Sequence, residues 1–189
     1  MIPAVRDSPP DAGTLYQVHV HQVARWAERL AGPTLDVEDI VQEVFTIAQA
    51  KMARFRGDSS ALTWLFGITS RVVRHRRRKE KWRRWLSGTA NQTAGNLPSG
   101  VPDPLRMAER AQAAASVYRV LDRLADRDRQ VLILFGLEDL SAEEVGQLLG
   151  IQAANARLRL HRARARFARA YEDYERQLAA ERRSSHVSR

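Results

Sequence analysis

Positively charged side chains crowd one stretch of the sequence, RVVRHRRRKEKWRRW at residues 71–85, which holds nine Lys or Arg beside one Glu and two Trp. Guanidinium and ammonium groups bind phosphates, and a row of them on one helix face suits the backbone of a nucleic acid. Four of the cations recur at helical spacing and predict such a phosphate-binding face: Arg71, Arg74, Arg78 and Lys81.

The two tryptophans of this stretch, Trp82 and Trp85, allow two interpretations. They can stack on nucleobases, or they can anchor the end of the helix in the domain core, and core anchoring is the favoured interpretation. A basic helix on a membrane surface is a rival, but its apolar face would comprise only this pair with Val72 and Val73. That face is too small for firm membrane binding.

A second constellation lies in LSAEEVGQLLGIQAANARLRLHRARARFARAY, at residues 140–171. Ser141 and Glu144 form a capping box before a short helix, and Gly150 is a preferred residue at a helix end. Gly146 is small where two helices would cross closely. Helix, tight turn and longer helix are the plan of a helix-turn-helix, whose second helix enters the major groove.

The second helix of this motif has an inward stripe of Ala153, Ala156, Leu160, Ala163 and Phe167. Arginine can bind guanine in bidentate fashion, Asn can bind adenine, and an outward Leu can meet a thymine methyl group. The alternative is that an Arg-rich helix end is merely solvated and that an exposed Leu is ordinary. Agreement between turn, cap and charge favours DNA binding by the opposite face: Asn155, Leu158, Arg159, Arg162 and Arg166.

Catalytic chemistry finds no support in the sequence. There is no Cys, which excludes disulfides and a Cys nucleophile, and the His residues lack partners at ligand spacing. No phosphate-binding glycine loop, dinucleotide fingerprint or nucleophile elbow is present. The carboxylates near residue 39 suit a helix N-terminus, where the dipole favours them, as well as they suit a metal site. We therefore expect no enzyme activity, no metal and no cofactor.

Helical periodicity supplies the elements that position the first set of residues. Residues 14–31 are predicted to form a first helix, closed by Gly-Pro. A second helix follows an N-cap at Asp36, with apolar residues at i, i+3, i+4 and i+7 and an acidic opposite face. A third helix begins after a cap at Ser59 or Ser60 and continues into the basic stretch.

A change in composition separates these helices from the rest of the chain. Residues 87–104 are dominated by Gly, Pro, Ser, Thr and Asn, which is typical of a linker. Further helices are predicted over residues 105–124 and from Asp126, and the first of them has a predicted apolar face of Ala114, Val117, Tyr118, Leu121 and Leu124.

The fold class that follows is all-α, with two small helical domains joined by a flexible linker. The predicted segments are a disordered lead over residues 1–13, a first domain over 14–86, the linker over 87–104, a second domain over 105–172 and a polar tail over 173–189. The net charge of +9 indicates nucleic acid or an anionic membrane surface as a partner. Because no signal peptide or stretch long enough to span a bilayer is visible, we expect a soluble, cytoplasmic protein without membrane insertion.

Two segments together resemble a known family. DVEDIVQEVFTIAQAKMARFRGDSSALTWLFGI is similar to conserved region 2 of the extracytoplasmic-function (ECF) sigma factors, which reads roughly D-x-E-D-L-V-Q-E-V-F, then F-R-G-x-S, then T-W-L. LDRLADRDRQVLILFGLEDLSAEEVGQLLGI, followed by RLRLHRARARF, resembles region 4. The matches cover most of residues 14–170 in the family's order. The resemblance implies a dissociable specificity subunit of bacterial RNA polymerase, acting with the core enzyme and promoter DNA.

The resemblance assigns roles to three sets of residues. Docking on the coiled coil of the polymerase β′ subunit, within a core that also contains β, is implied for Asp39, Gln42 and Glu43. Capture of a base flipped from the minus 10 element and tracking of the opened strand are implied for Arg56, Gly57, Asp58, Ser59, Ser60, Ala61, Arg71, Arg74 and Arg78. Binding to the minus 35 element is implied for Arg157, Arg159, His161 and Arg162, and the outward Asn155 and Leu158 complete that candidate set.

The sequence departs from the family pattern at two places. Arg71 stands where members often have Asn, and Ala154-Asn155-Ala156 replaces the common G-T-V at the start of the recognition helix. No known promoter consensus is therefore transferred. The family also implies a cognate anti-sigma factor, with the chain monomeric when free or paired with that partner. The alternative is a dimeric helix-turn-helix regulator, which would need a pairing face that the sequence does not offer.

Overall fold

A computed structural model of the chain describes residues 12–55, 57–87 and 104–187. Most of the predicted lead, Arg56, and nearly all of the predicted linker lie outside the described residues. Within these ranges every regular element is helical, so the all-α prediction is confirmed. The elements are α1 (Ala12–Ala31), α2 (Val37–Lys51), a 3₁₀ turn (Met52–Arg54), α3 (Ala61–Ser87), α4 (Pro104–Leu121), α5 (Asp126–Gly136), α6 (Ala142–Leu149) and α7 (Ala153–Val187).

The chain divides into two compact units, the first built on α1 to α3 and the second on α4 to α7. In the first unit local signals set the helix ends. Gly32 adopts a left-handed φ of 74°, and its N–H donates to the carbonyl of Glu28 at 3.0 Å, which closes α1. Asp36 caps α2 by accepting from the Asp39 N–H at 3.1 Å, and Ser60 accepts from the Thr63 N–H at 3.1 Å.

The three helices of the first unit enclose one apolar core. Trp26 of α1 meets Phe66 of α3 edge to face, with ring centroids 5.0 Å apart. Burial of these side chains removes apolar surface from water and is the main force that holds the helices together. The core also contains Leu15, Val23, Leu30, Ile40, Val41, Val44, Ala48, Leu65, Ile68, Val72 and Val73.

The second unit has a smaller apolar core and more buried charge. Its buried apolar side chains include Val120, Leu121, Val131, Ile133, Leu134, Val145, Ala156 and Ala163. The Arg129 side chain is buried as well: its Nη1 donates to Asp122 at 2.8 Å, and its guanidinium group lies over the ring of Tyr118, 5.4 Å from the ring centroid. A buried charge needs such a partner, because desolvation without one is costly.

The predicted apolar face of α4 is partly wrong. Ala114 and Val117 are exposed, whereas Val120, which the prediction omitted, is fully buried beside Leu121. The cause is the run of alanines between residues 111 and 115, because Ala is compatible with any face of a helix and leaves the phase of the apolar stripe undetermined.

The last helix extends far beyond the predicted second domain. α7 has 35 residues and includes most of the predicted tail over residues 173–189. Tyr174 is only 5% exposed; its hydroxyl is 3.4 Å from Nη1 of Arg119, and Arg123 lies over its ring at 5.2 Å. Arg123 also donates to Gln177 at 2.7 Å, so the extension of α7 packs on α4.

Candidate nucleic-acid interfaces and acidic face

The acidic face of α2 consists of Asp39, Gln42 and Glu43, which the structure brings together on the side opposite the buried stripe. The side chain of Asp39 is 61% exposed and that of Glu43 is 34% exposed. Spacing of three and four residues places the three side chains on one helix surface. The face is therefore accessible to a partner.

A residue that sequence reasoning missed, Arg76 of α3, binds both carboxylates of this face. Its Nε donates to Glu43 Oε2 at 2.7 Å, its Nη1 to Asp39 Oδ2 at 3.1 Å, and its Nη2 to the Asp39 carbonyl at 3.4 Å. Burial lowers the pKa of Arg76, but the hydrogen bonds and attraction from Glu43 and Asp39 outweigh it and raise the pKa above its ordinary value. The guanidinium group of Arg76 therefore lies against the two carboxylates of the acidic face.

The loop before α3 combines exposed polar residues with an aromatic pair. Gly57, with φ of 73°, Asp58, Ser59 and Ser60 are exposed, and Ala61 is half-buried. Phe55 and Trp64 flank this loop with ring centroids 5.0 Å apart. Both aromatic residues belong to the family motif, in which Phe55 precedes R-G and Trp64 lies in T-W-L, but the sequence predicted no role for them. Their rings place apolar surface beside the loop.

The phosphate-binding face of α3 is exposed as predicted. Arg71, Arg74, Arg78 and Lys81 all lie at the surface. Within the described residues no hydrogen bond or ion pair engages Arg71, Arg74 or Arg78, whereas Glu80 pairs with Arg83 at 2.8 Å. Three guanidinium groups on one side of the helix are therefore available to an anionic partner.

The prediction that Trp82 and Trp85 anchor the helix end in the core is wrong. The two residues are 64% and 72% exposed, and their rings contact each other at a centroid distance of 5.3 Å and a tilt of 39°. Burial along α3 ends at Arg77, and the described residues after it are exposed or half-buried. At 27 residues α3 is much longer than the 15-residue α2, so its last turns extend past the core of the unit.

The helix-turn-helix of the second unit has the predicted local geometry. The Ser141 hydroxyl accepts from the Glu144 N–H at 3.2 Å, and the Glu144 carboxylate accepts from the Ser141 N–H at 2.8 Å. These bonds lower the pKa of Glu144 below its ordinary value. Gly150 has φ of 64°, and a Cβ on Gly146 would lie 2.7 Å from the Ile151 carbonyl oxygen. The capping box, the glycine turn and the close crossing are all confirmed.

The start of α7 displays all six candidate residues for duplex recognition, which are exposed: Asn155, Arg157, Leu158, Arg159, His161 and Arg162. Helical spacing puts Asn155, Arg159 and Arg162 on one flank of Leu158, with Arg157 and His161 on the other. Buried Ala156 and Ala163 fix the opposite side of the helix against the unit.

Ion pairs distinguish the arginines of this surface. Arg157 donates to Glu143 of α6 at 2.8 Å, and Arg166 donates to both oxygens of the buried Asp128 at 2.8 and 2.9 Å. In the described part of the chain no such bond involves Arg159 or Arg162. These two side chains can approach a partner without breaking an existing contact.

Across the described residues no cluster of His, Asp and Glu could hold a metal ion. Among the helices that the structure describes, none is long and apolar enough to cross a bilayer.

Comparisons with known proteins agree with this geometry. A family model for sigma-70 region 2 matches residues 15–83, and one for sigma-70 region 4 matches residues 114–167. The chain is 33% identical over 154 residues to the RNA polymerase sigma factor NccH of Alcaligenes xylosoxydans xylosoxydans, covering 82% of this chain and 83% of that protein. It is 30% identical over 149 residues to the ECF RNA polymerase sigma-E factor of Escherichia coli K12, covering 76% and 78%.

The fold has also been seen in a solved complex. The sigma factor RpoE bound to the anti-sigma factor NepR from Bartonella quintana matches with a TM-score of 0.56 at 22% identity, covering 83% of this chain and 94% of that one. At this identity the likeness concerns the fold.

Proposed function

Because the chain belongs to the ECF group of the sigma-70 family, whose members direct promoter-specific transcription by bacterial RNA polymerase, we propose how its surfaces divide that work. The acidic face, Asp39, Gln42 and Glu43, binds the polymerase core, at its β′ subunit. The observation that carries this assignment is an exposed acidic face, ordered by Arg76, in a protein of net charge +9. Such a face repels DNA and suits a basic protein surface.

The first unit also binds the minus 10 element in this proposal. The loop with Gly57, Asp58, Ser59, Ser60 and Ala61, preceded by Arg56, receives a base that has left the stack. The exposed and unengaged guanidinium groups of Arg71, Arg74 and Arg78 neutralise the phosphates of the opened strand. Opening a duplex costs pairing and stacking energy, which a base pocket and a cationic track offset.

The second unit binds the minus 35 element as duplex. The support is the exposed N-terminal face of α7 in a helix-turn-helix with intact caps. Arg159 and Arg162 are the foremost candidates for base contacts, because bidentate guanine recognition needs an unengaged guanidinium group. Asn155, Arg157, Leu158 and His161 line the same groove-facing surface.

The remaining assignments follow from the same role. A cognate anti-sigma factor is proposed as a partner, since RpoE, which shares the fold, forms such a complex. We expect the free chain to be monomeric. A subunit that works on chromosomal promoters acts in the cytoplasm, without catalysis or a cofactor of its own. A dimeric regulator is disfavoured, because two dissimilar units on one chain do not suit palindromic half-sites.

Charge reversal tests the polymerase-binding role. Asp39→Arg with Glu43→Arg should abolish core binding and run-off transcription, but it also leaves Arg76 among like charges. Adding Arg76→Glu restores opposite charges across α2 and α3, so the triple variant should regain stability while core binding stays absent. Glu28→Arg, an exposed acidic residue on α1, is the control and should bind core as the unaltered protein does.

The measurements are co-elution with core polymerase and sequencing of transcript starts on a library of promoter fragments. A folded triple variant that binds core with unaltered affinity would contradict the assignment of the acidic face.

A further inference from the structure

An exposed apolar patch at the end of α3 remains unassigned. Trp82, Trp85 and Leu86 are 64%, 72% and 64% exposed. A Trp side chain offers up to about 250 Å², so the two indoles leave roughly 300 Å² of contiguous apolar surface in water. Single exposed apolar residues are ordinary, whereas the largest contiguous apolar patch of a monomer, typically about 300–600 Å², is often a functional surface.

The positive charge around this patch indicates an anionic partner. Residues 78–86 hold five Lys or Arg and one Glu. That Glu80 is engaged by Arg83 at 2.8 Å and lies 3.5 Å from Arg84. The unengaged Arg78 lies one helical turn before Trp82, at the end of the phosphate-binding face. A single-stranded nucleic acid offers both phosphates for the cations and unpaired bases for the indoles.

The ring geometry limits how a base can bind. Inserting a base between two parallel rings requires roughly 7 Å, twice the 3.4 Å step of stacked bases. The indole centroids are 5.3 Å apart and tilted by 39°, so the rings already contact each other and leave no such gap. Each indole instead offers its outer face, which suits one or two bases.

We propose that Trp82 and Trp85 form a stacking platform for unpaired bases of the opened promoter strand, at the end of the phosphate-binding face of α3. The proposal rests on the proposed function of the first unit. At 1.5 Å per residue Trp82 and Trp85 lie about 16 and 21 Å along the helix axis from Arg71, which corresponds to about five and six stacked nucleotides. The bases involved therefore lie about five or six positions from those beside Arg71.

Paired substitutions separate stacking from simple apolar contact. Trp82→Phe with Trp85→Phe keeps two aromatic faces, whereas Trp82→Leu with Trp85→Leu keeps apolar surface without them. The full chain is titrated against a fluorescein-labelled 12-nucleotide single strand and against the same sequence as a duplex. We expect the Leu variant to lose about fivefold or more in single-strand affinity, the Phe variant to lose about twofold, and duplex affinity to change little for both.

The holoenzyme supplies the second readout. In a promoter with a preformed bubble, 2-aminopurine is placed at successive positions of the displaced strand. We expect quenching that depends on the indoles at one or two positions, present with the unaltered and Phe holoenzymes and lost with the Leu holoenzyme. Such a position-specific loss would not arise from a general change in stability.

Three results would overturn the proposal. One is a Leu variant that binds the single strand and quenches 2-aminopurine as the unaltered protein does. Another is an equal loss of single-strand and duplex affinity, which would assign the patch to duplex DNA. The third is a Leu variant that binds DNA as the unaltered protein does but no longer binds vesicles containing phosphatidylserine, which would assign the patch to a membrane surface. If the unaltered holoenzyme gives no protein-dependent transcript starts, the proposed function itself fails, whatever the Leu variant does.

Discussion

Removing the guanidinium group of Arg76 should destabilise the first unit without touching its apolar core. Arg76→Met keeps most of the aliphatic stem but deletes the bonds to Asp39 and Glu43 at 3.1 and 2.7 Å. Exposed ion pairs contribute about 0.2–1 kcal/mol each. Arg76 is only 29% exposed and makes two pairs, so the upper part of this range applies. The expected loss is about 1–2 kcal/mol in the free energy of unfolding.

The assay follows from the distribution of tryptophan. All four Trp residues lie between positions 26 and 85, so fluorescence excited selectively at Trp reports the first unit within the full chain. With urea m-values of about 1–3 kcal/mol/M, the midpoint should fall by roughly 0.3–2 M. In 1 M salt, where the Debye length is about 3 Å, the difference between variant and unaltered protein should shrink.

Arg74→Met is the matched control, because Arg74 lies two residues away on the same helix and makes no ion pair with a described residue. Its unfolding free energy should stay within about 0.5 kcal/mol of the original. Equal midpoints for the two variants would refute the view that Arg76 ties α3 to the acidic face of α2.

Two further predictions concern the second unit. Hydrogen bonds to Ser141 lower the pKa of Glu144, so the stability that this carboxylate contributes is present above the ordinary pKa of 4.5 and is lost as pH falls through the lowered pKa. Glu144→Ala should therefore reduce the acid dependence of amide exchange in α6. An unchanged acid dependence would contradict this. Tyr174→Ala should lower the free energy of unfolding of the second unit by about 2–3 kcal/mol, measured by amide exchange in α4 and α7. Tyr171 is exposed, so Tyr171→Ala should lower it by about 1 kcal/mol or less. Equal effects would show that the α7 extension does not pack.

Short-range features were predictable from the sequence alone. The cap at Asp36, the capping box at Ser141 and the left-handed Gly150 all depend on residues within a few positions of each other, and the structure confirms them. The order of the helices, the all-α fold and the family also follow from local patterns. The exposed faces of α3 and α7 were predictable because helical periodicity separates charged from apolar residues.

Tertiary packing decided the features that join or separate elements. Arg76 reaches carboxylates 33 and 37 residues away in sequence, and no local pattern shows that distance. Trp82 and Trp85 are residue types that are often found in a core, yet both are exposed because α3 extends beyond the helices that could cover them. Tyr174 looks like part of a polar tail, yet Arg119 of α4 and Arg123 of the turn after α4 contact it.

The physical reason is the range of the interactions. Backbone torsions, caps and helical periodicity are set by neighbours along the chain, so composition and spacing reveal them. Whether a given side chain is buried, paired or exposed depends on which helices meet and how long each one is, and those neighbours are distant in sequence. For this protein the sequence determined the helices, their ends and the family, while only the tertiary structure decided that the acidic face contains Arg76 and that the tryptophan pair lies open to a partner.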